Sequence, residues 1–82
     1  MKPKLLLFYN TDCHHCMKMR PFMSELQQSL GIKLVNTYED HLITENYNVD
    51  FVPTLVIEDQ NGKHKFEGPN EIKKVLYELV SP

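Results

Sequence analysis

Two cysteines separated by two histidines carry the most chemical information in this sequence: Cys13, His14, His15 and Cys16. An apolar run ends at Tyr9, just before them, and a helical pattern follows. Residues three apart on a helix lie about 5–6 Å from one another, and a disulfide forms when the two Cα atoms are about 4.4–6.8 Å apart. The pair can therefore close and reopen with little backbone movement, which suits a dithiol that carries two electrons.

The first cysteine is the predicted nucleophile, and the second is the predicted resolving residue. Cys13 lies where the helix begins, and the unpaired N–H groups and positive dipole there favour a thiolate, although the charge of Asp12 opposes it. Cys16 lies one turn further along and is expected to be more buried. It attacks the mixed disulfide formed by Cys13 and releases the reduced product. The alternative is an inert cysteine pair.

The two histidines are assigned different roles. A partly protonated imidazole at His15 favours a neighbouring thiolate and so stabilises the reduced form. We therefore place His15 with Cys13 and Cys16 in the catalytic set and expect a relatively oxidising potential, on the order of −200 mV. His14 is expected to point to solvent and to contact the substrate. For both histidines the alternative is a solvated position at the start of a helix.

Length and composition restrict the class of protein. The 82 residues allow one domain, 1–82, and the net charge of −2 disfavours nucleic-acid binding. No apolar run is long enough to cross a bilayer, and the basic start lacks the pattern of a signal peptide. We therefore expect a cytoplasmic protein without a membrane partner. In a reducing compartment, two cysteines are more often catalytic or metal-binding than structural.

Apolar spacing predicts the elements that position the dithiol. Strands are predicted at 5–9, 32–38, 54–57 and 63–66, with Asn61-Gly62 as a hairpin turn before the last. Helices are predicted from about residue 13 to Gly31, over 40–47, and from 68–70 onward. The order is βαβαββα, which predicts an α/β fold with a four-stranded mixed sheet, helices on both faces and a parallel first crossover.

Several details of these elements are also predicted. Thr11 or Asp12 is expected to cap the first helix, and Pro21 to kink it. Leu42 and Ile43 are the apolar positions of the second helix. The last helix presents an apolar stripe on one side, formed by Ile72, Val75, Leu76, Leu79 and Val80.

The element order and motifs together resemble the thioredoxin superfamily. The matching landmarks are the Cys13/Cys16 motif after the first strand, Pro21 five residues later, the segment YNVDFVPT at 47–54, and the glycines of Asn61-Gly62 and Gly68. The resemblance implies a thioredoxin-like fold in the minimal form found in glutaredoxins. It also implies that Pro53 is cis and that its loop faces the dithiol.

The resemblance extends to how substrate is bound. Val52, Pro53 and Thr54 are identified as substrate-binding, with the backbone of Val52 pairing with an extended substrate chain. Tyr9 and Phe51 are expected to add an apolar rim to the same site.

The sequence also departs from the family pattern. Leu7 stands where thioredoxins have a buried Asp that assists proton transfer, and Asp12 stands where they have Trp. The pair His14-His15 replaces Gly-Pro. The segment 67–70 lacks the Gly-Gly with which glutaredoxins hold glutathione. Either glutathione or a flavoprotein reductase therefore remains open as the source of electrons.

These observations predict a monomeric thiol–disulfide oxidoreductase that acts on disulfide-containing proteins. The expected redox group is the Cys13–Cys16 disulfide itself, with no bound cofactor and no metal. The alternatives are a glutathione-dependent glutaredoxin, a metal-binding module that uses the Cys/His cluster, and a redox-inert interaction domain. His41 and His64 are isolated in the sequence and are expected at the surface.

Overall fold

A computed structural model describes residues 3–80, apart from the side chains of residues 15, 20, 22–24, 26 and 80. The elements follow the predicted order: β1 (Lys4–Tyr9), α1 (His14–Leu30), β2 (Lys33–Asn36), α2 (His41–Asn46), β3 (Thr54–Asp59), β4 (Gly62–Glu67) and α3 (Pro69–Val80). The strands form one sheet in the order β2-β1-β3-β4. The β1–β2 pair is parallel and the other two pairs are antiparallel, which confirms the mixed sheet and the parallel first crossover.

The central strand β1 is apolar on both faces, because helices cover both sides of the sheet. Its side chains alternate between two apolar clusters. Leu5 and Leu7 join the cluster on the α1/α3 side, and Leu6 and Phe8 join the cluster on the α2 side. The first cluster also contains Met19, Ile32, Leu55, Ile72 and Leu76, and the second also contains Val35 and Val56.

The short helix α2 covers its face with few side chains. Ile43 and the following Tyr47 pack on the second cluster, whereas Leu42 is 67% exposed, so the prediction that Leu42 is an apolar contact was wrong. Six residues make fewer than two turns, and these provide one inward-facing aliphatic position. On α3 the predicted stripe is correct for Ile72 and Leu76, but Leu79 is 40% exposed. Among the described residues, no helix combines the length and the apolar character that a bilayer crossing requires.

Two predicted boundaries were wrong for reasons visible in the backbone. Strand β2 ends at Asn36, because the Asn36 side-chain oxygen accepts the N–H groups of Tyr38 and Glu39, and its carbonyl accepts that of Asp40. These bonds turn the chain before residue 38. At the far end of the sheet, β3 continues to Asp59, where it pairs with Gly62 across the predicted Asn-Gly turn.

The first helix starts and stops at residues of special geometry. Its N-cap is Cys13, not Thr11 or Asp12. The Asn10 side chain accepts the Asp12 N–H, which holds residues 10–12 in a turn, so the helix starts only after Cys13. The helix runs through Pro21 and ends at Gly31, which has a φ of 65°. The predicted kink at Pro21 stays a prediction.

Candidate functional site

The candidate site lies at the edge of the sheet where β1 and β2 end. The Thr37 N–H donates to the Tyr9 carbonyl over 2.9 Å, which joins the two strand ends. The chain from Tyr9 leads directly to Cys13, and β3 begins at this edge beside the end of β4, since Thr54 pairs with Glu67. The ends of β1, β2 and β4 and the start of β3 therefore lie along one edge of the sheet, and the loop before β3 contacts Cys13 there.

The sulfur of Cys13 caps this first turn. Cys13 has an extended backbone (φ −85°, ψ 117°), and its Sγ accepts the Cys16 N–H over 3.2 Å. Its carbonyl accepts the N–H of Met17 over 3.0 Å, which starts the helical ladder. The half-buried sulfur thus takes one of the N–H groups that a helix leaves unpaired at its start. A hydrogen bond of this kind favours a thiolate.

Cys16 differs from Cys13 in exposure. Its side chain is 2% exposed. The pKa of the Cys16 thiol is raised from 9.0 to about 12, chiefly by burial and further by hydrogen bonding to Cys13. Cys16 is therefore a protonated thiol at neutral pH, and both cysteines are free thiols in this structure. The predicted deeper burial of Cys16 is confirmed, and the division between an attacking and a resolving cysteine stays a prediction.

The loop before β3 faces the dithiol. The Val52–Pro53 peptide bond is cis, as the resemblance implied. The Cys13 thiol donates to the Val52 carbonyl, with 3.4 Å between sulfur and oxygen. Thr54 is 1% exposed, and its hydroxyl donates to the Phe51 carbonyl over 2.6 Å. Of the three residues predicted to bind substrate here, Val52 is thus the one whose carbonyl contacts the Cys13 sulfur.

The histidines of the motif are placed less completely. His14 is the first residue of α1 and is exposed, so its predicted contact with substrate stays a prediction. The side chain of His15 lies outside the described residues, and its predicted effect on the potential also stays a prediction. His41 and His64 are both exposed, as predicted, and His64 Nε2 lies 3.5 Å from an Asp59 carboxylate oxygen.

A metal site was the main alternative for the Cys/His cluster. In the part of the chain that the structure describes, no three His, Cys, Asp or Glu residues come together to hold a metal ion. Leu7, which stands where thioredoxins have a buried Asp, is fully buried in the cluster on the α1/α3 side. The chain therefore has an apolar, buried side chain at this position.

Two contributors to the site were missed at the level of the sequence. Met17 is 51% exposed one turn after Cys13, and Phe51, in the loop before β3, is 66% exposed, so each offers apolar surface close in sequence to a site residue. Gly68 donates its N–H to the Pro53 carbonyl over 3.0 Å. Its φ of 89° explains why glycine stands there. Tyr9, for which the sequence leaves a rim position and an ordinary core position equally open, is partly buried against the α1/α3 cluster.

Comparison with known proteins agrees with this geometry. The family model for thioredoxin matches residues 1–81. Thioredoxin Y from rice, named as chloroplastic, is 33% identical over 86 residues, which cover 98% of this chain and 51% of that protein. The chain thus spans about half the length of that relative. Thioredoxin-like protein slr0233 from Synechocystis is 30% identical over 83 residues, covering 95% of this chain and 79% of that protein.

A solved structure shows the same fold. The germline-specific thioredoxin Deadhead from Drosophila melanogaster superposes with a TM-score of 0.76 at 26% identity, over 96% of this chain and 82% of that one. The fold, the position of the two cysteines and these matches lead to one conclusion: the chain belongs to the thioredoxin family.

Proposed function

We propose that this protein is a thiol–disulfide oxidoreductase that exchanges two electrons with disulfide-containing proteins. The observation that carries the proposal is the pairing of a half-exposed Cys13 sulfur at a helix N-terminus with a buried Cys16 thiol one turn further along. Thioredoxins, the family to which the chain belongs, are disulfide oxidoreductases.

In the first step, the Cys13 thiolate attacks one sulfur of the substrate disulfide. A Cys13–substrate S–S bond forms and the substrate S–S bond breaks. The other substrate sulfur leaves with the electron pair and takes a proton from water. The Cys16 N–H holds the attacking sulfur before the reaction, so the nucleophile needs little reorientation.

In the second step, Cys16 attacks the Cys13 sulfur, and the second substrate sulfur leaves. The pKa of Cys16 is high while Cys13 is a free thiol. In the mixed disulfide, Cys13 no longer carries a charge or a thiol hydrogen, so the part of the rise due to Cys13 is lost and Cys16 ionises more readily. Its proton passes to water or to the leaving sulfur. The substrate gains two electrons and two protons, and the protein becomes a disulfide.

The loop before β3 supplies the proposed contact with the substrate chain. The Val52 carbonyl points to the reacting sulfur and can accept a backbone N–H of an extended segment. The exposed apolar side chains of Phe51 and Met17 border this line. Because main-chain pairing does not depend on the side chains of the substrate, such a site can accept disulfides from proteins of different sequence.

The electron source and location are part of the proposal. The oxidised Cys13–Cys16 pair is returned to dithiol by a flavoprotein reductase or by glutathione, without a bound cofactor. The protein acts as a monomer in the reducing cytoplasm. The rice relative is chloroplastic by its name, so cell fractionation of the native host is the test of location.

Insulin reduction tests the proposed function. The wild-type chain is supplied separately with dithiothreitol, with glutathione and its reductase, and with thioredoxin reductase and NADPH. We expect turnover with dithiothreitol and with one of the two enzymatic systems, which identifies the electron source. Cys13→Ser is expected to lose turnover in every arm, and His41→Ala, far from the dithiol in sequence, serves as the control. Insulin reduction by Cys13→Ser at the wild-type rate would refute the proposal.

A further inference from the structure

Three consecutive carbonyl groups in the loop before β3 are bound by three different donors. The Phe51 carbonyl accepts the Thr54 hydroxyl over 2.6 Å. The Val52 carbonyl accepts the Cys13 thiol over 3.4 Å. The Pro53 carbonyl accepts the Gly68 N–H over 3.0 Å. The carbonyl that faces the reacting sulfur is therefore flanked on both sides by carbonyls that the rest of the fold holds in place.

The Thr54 hydroxyl is the side-chain member of this set. Thr54 is the first residue of β3 and is 1% exposed. Its environment is otherwise the apolar interior, in which a hydroxyl needs a hydrogen-bond partner. The Phe51 carbonyl three residues earlier provides that partner. The bond closes the loop on itself and fixes the orientation of the peptide that precedes Val52.

The direction of the Val52 carbonyl matters for the state of the nucleophile. Cys13 Sγ takes part in two hydrogen bonds with opposite effects. It accepts the Cys16 N–H, which favours the thiolate, and as a thiol it donates to the Val52 carbonyl, which favours the protonated form. The same carbonyl, held beside the sulfur, is also the proposed acceptor for a substrate N–H when a disulfide binds. Its position therefore affects both the reactivity of Cys13 and the binding of substrate.

We propose that Thr54 is a positioning residue whose hydroxyl, through the Phe51 carbonyl, holds the Val52 carbonyl beside the Cys13 sulfur and thereby sets both the nucleophile's reactivity and substrate binding. Because Thr54 is 1% exposed and its hydroxyl is bonded within the loop, we assign it this positioning role in place of the predicted contact with substrate. This inference rests on the proposed function, because it assigns a role within the same site.

The test uses Thr54→Val, which keeps the shape and removes the hydroxyl. Without its anchor the loop relaxes and the Val52 carbonyl leaves the sulfur, so the thiolate is favoured. The rate of Cys13 alkylation by iodoacetamide, followed as a function of pH, is expected to shift to lower pH. The KM for a disulfide-bonded peptide is expected to rise about fivefold, the value of one hydrogen bond, while kcat changes less. Thr54→Ala is expected to show the same two effects.

Two further variants separate positioning from general stability. Thr54→Ser keeps the hydroxyl and is expected to overlay the wild type in both measurements. Thr44→Val removes a similar bond, from the Thr44 hydroxyl to the Asp40 carbonyl over 3.0 Å in α2, and is expected to leave both unchanged. Overlay of Thr54→Val on the wild type, or a loss in Thr54→Ser equal to that in Thr54→Val, would overturn the inference.

The same data distinguish this inference from the proposed function. The alkylation profile reports on Cys13 without any disulfide substrate. If wild-type protein shows no disulfide exchange, the proposed function fails. If wild-type protein is active and the Thr54 variants behave like it, the function stands and the positioning role fails.

Discussion

At the scale of single residues, the two cysteines of one motif have opposite environments. Cys13 is half-buried and its sulfur accepts the Cys16 N–H in the first turn of α1, while Cys16 is almost completely buried. The spacing of the cysteines predicts this difference, because a residue one turn into a helix lies deeper than its cap. The sequence does not show that the sulfur itself caps the helix, since that depends on the extra turn formed by Asn10.

The raised pKa of Cys16 predicts a specific loss of stability in alkaline solution. The unfolded chain releases the Cys16 proton near pH 9.0, whereas the folded chain holds it until about pH 12. Between these values the unfolded state binds fewer protons, so the free energy of unfolding falls as pH rises, by up to about 1.4 kcal/mol per pH unit from this group. Tyr47, whose pKa is raised by burial and by its bond to Glu58, adds to the decrease in the same direction.

Denaturant unfolding over this pH range, on wild type and Cys16→Ala, measures the contribution of Cys16. We expect the variant to lose stability less steeply above pH 9, because other groups titrate equally in both proteins. Parallel curves for the two proteins would contradict the assignment of the buried, protonated thiol. At acidic pH, where Cys16 is protonated in both states, the two slopes are expected to be the same.

At the scale of elements, the apolar pattern predicted the type and order of the strands and helices more accurately than it predicted where each one ends. The apolar run of β1, which predicts a strand covered on both faces, and the hairpin turn at Asn61-Gly62 are both confirmed, with Gly62 as the first residue of β4. The end of β2 was wrong because the Asn36 side chain competes with the strand for backbone N–H groups. The prediction for Leu42 was wrong because six residues are too few for the helical spacing to indicate which apolar side chain faces inward.

The end of α1 gives a prediction at this scale. Gly31 has a φ of 65°, and a Cβ at this position would have no atom within 4 Å. Gly31→Ala is therefore expected to cost about 1–2 kcal/mol of unfolding free energy through backbone strain alone. Gly31→Asn is expected to cost less, because Asn adopts this conformation more readily. Denaturant unfolding checks both values, with insulin reduction expected unchanged; equal stability of Gly31→Ala and wild type would contradict the helix ending.

At the scale of the whole molecule, the fold brings chemistry to one edge of the sheet. The segment that follows β1 carries the dithiol, and the loop that precedes β3 carries the carbonyl that faces it. The sequence predicted this meeting through the motif, the Val52-Pro53-Thr54 segment and the family resemblance. The sequence did not show that Thr54 is buried and acts within the loop. A single threonine at the start of a strand gives no pattern that indicates whether its hydroxyl faces inward or outward.

The wider assignments remain predictions at this scale. These are the single domain 1–82, the monomeric state, the electron source and the protein substrates. Each of them depends on properties beyond the fold. The electronic role of His15 also belongs here, because a redox potential measures the dithiol in its entire surroundings. The central claim concerns only the order in which the two sulfurs react.

The most direct test of that order is mass spectrometry of Cys16→Ala and Cys13→Ala after incubation with a disulfide-bonded peptide. In Cys16→Ala we expect a stable mixed disulfide with half of the peptide on Cys13, because the sulfur that resolves it has been removed. In Cys13→Ala the buried Cys16 is expected to remain unmodified. An adduct on Cys16 in Cys13→Ala, or full release of reduced peptide by Cys16→Ala at the wild-type rate, would contradict the account.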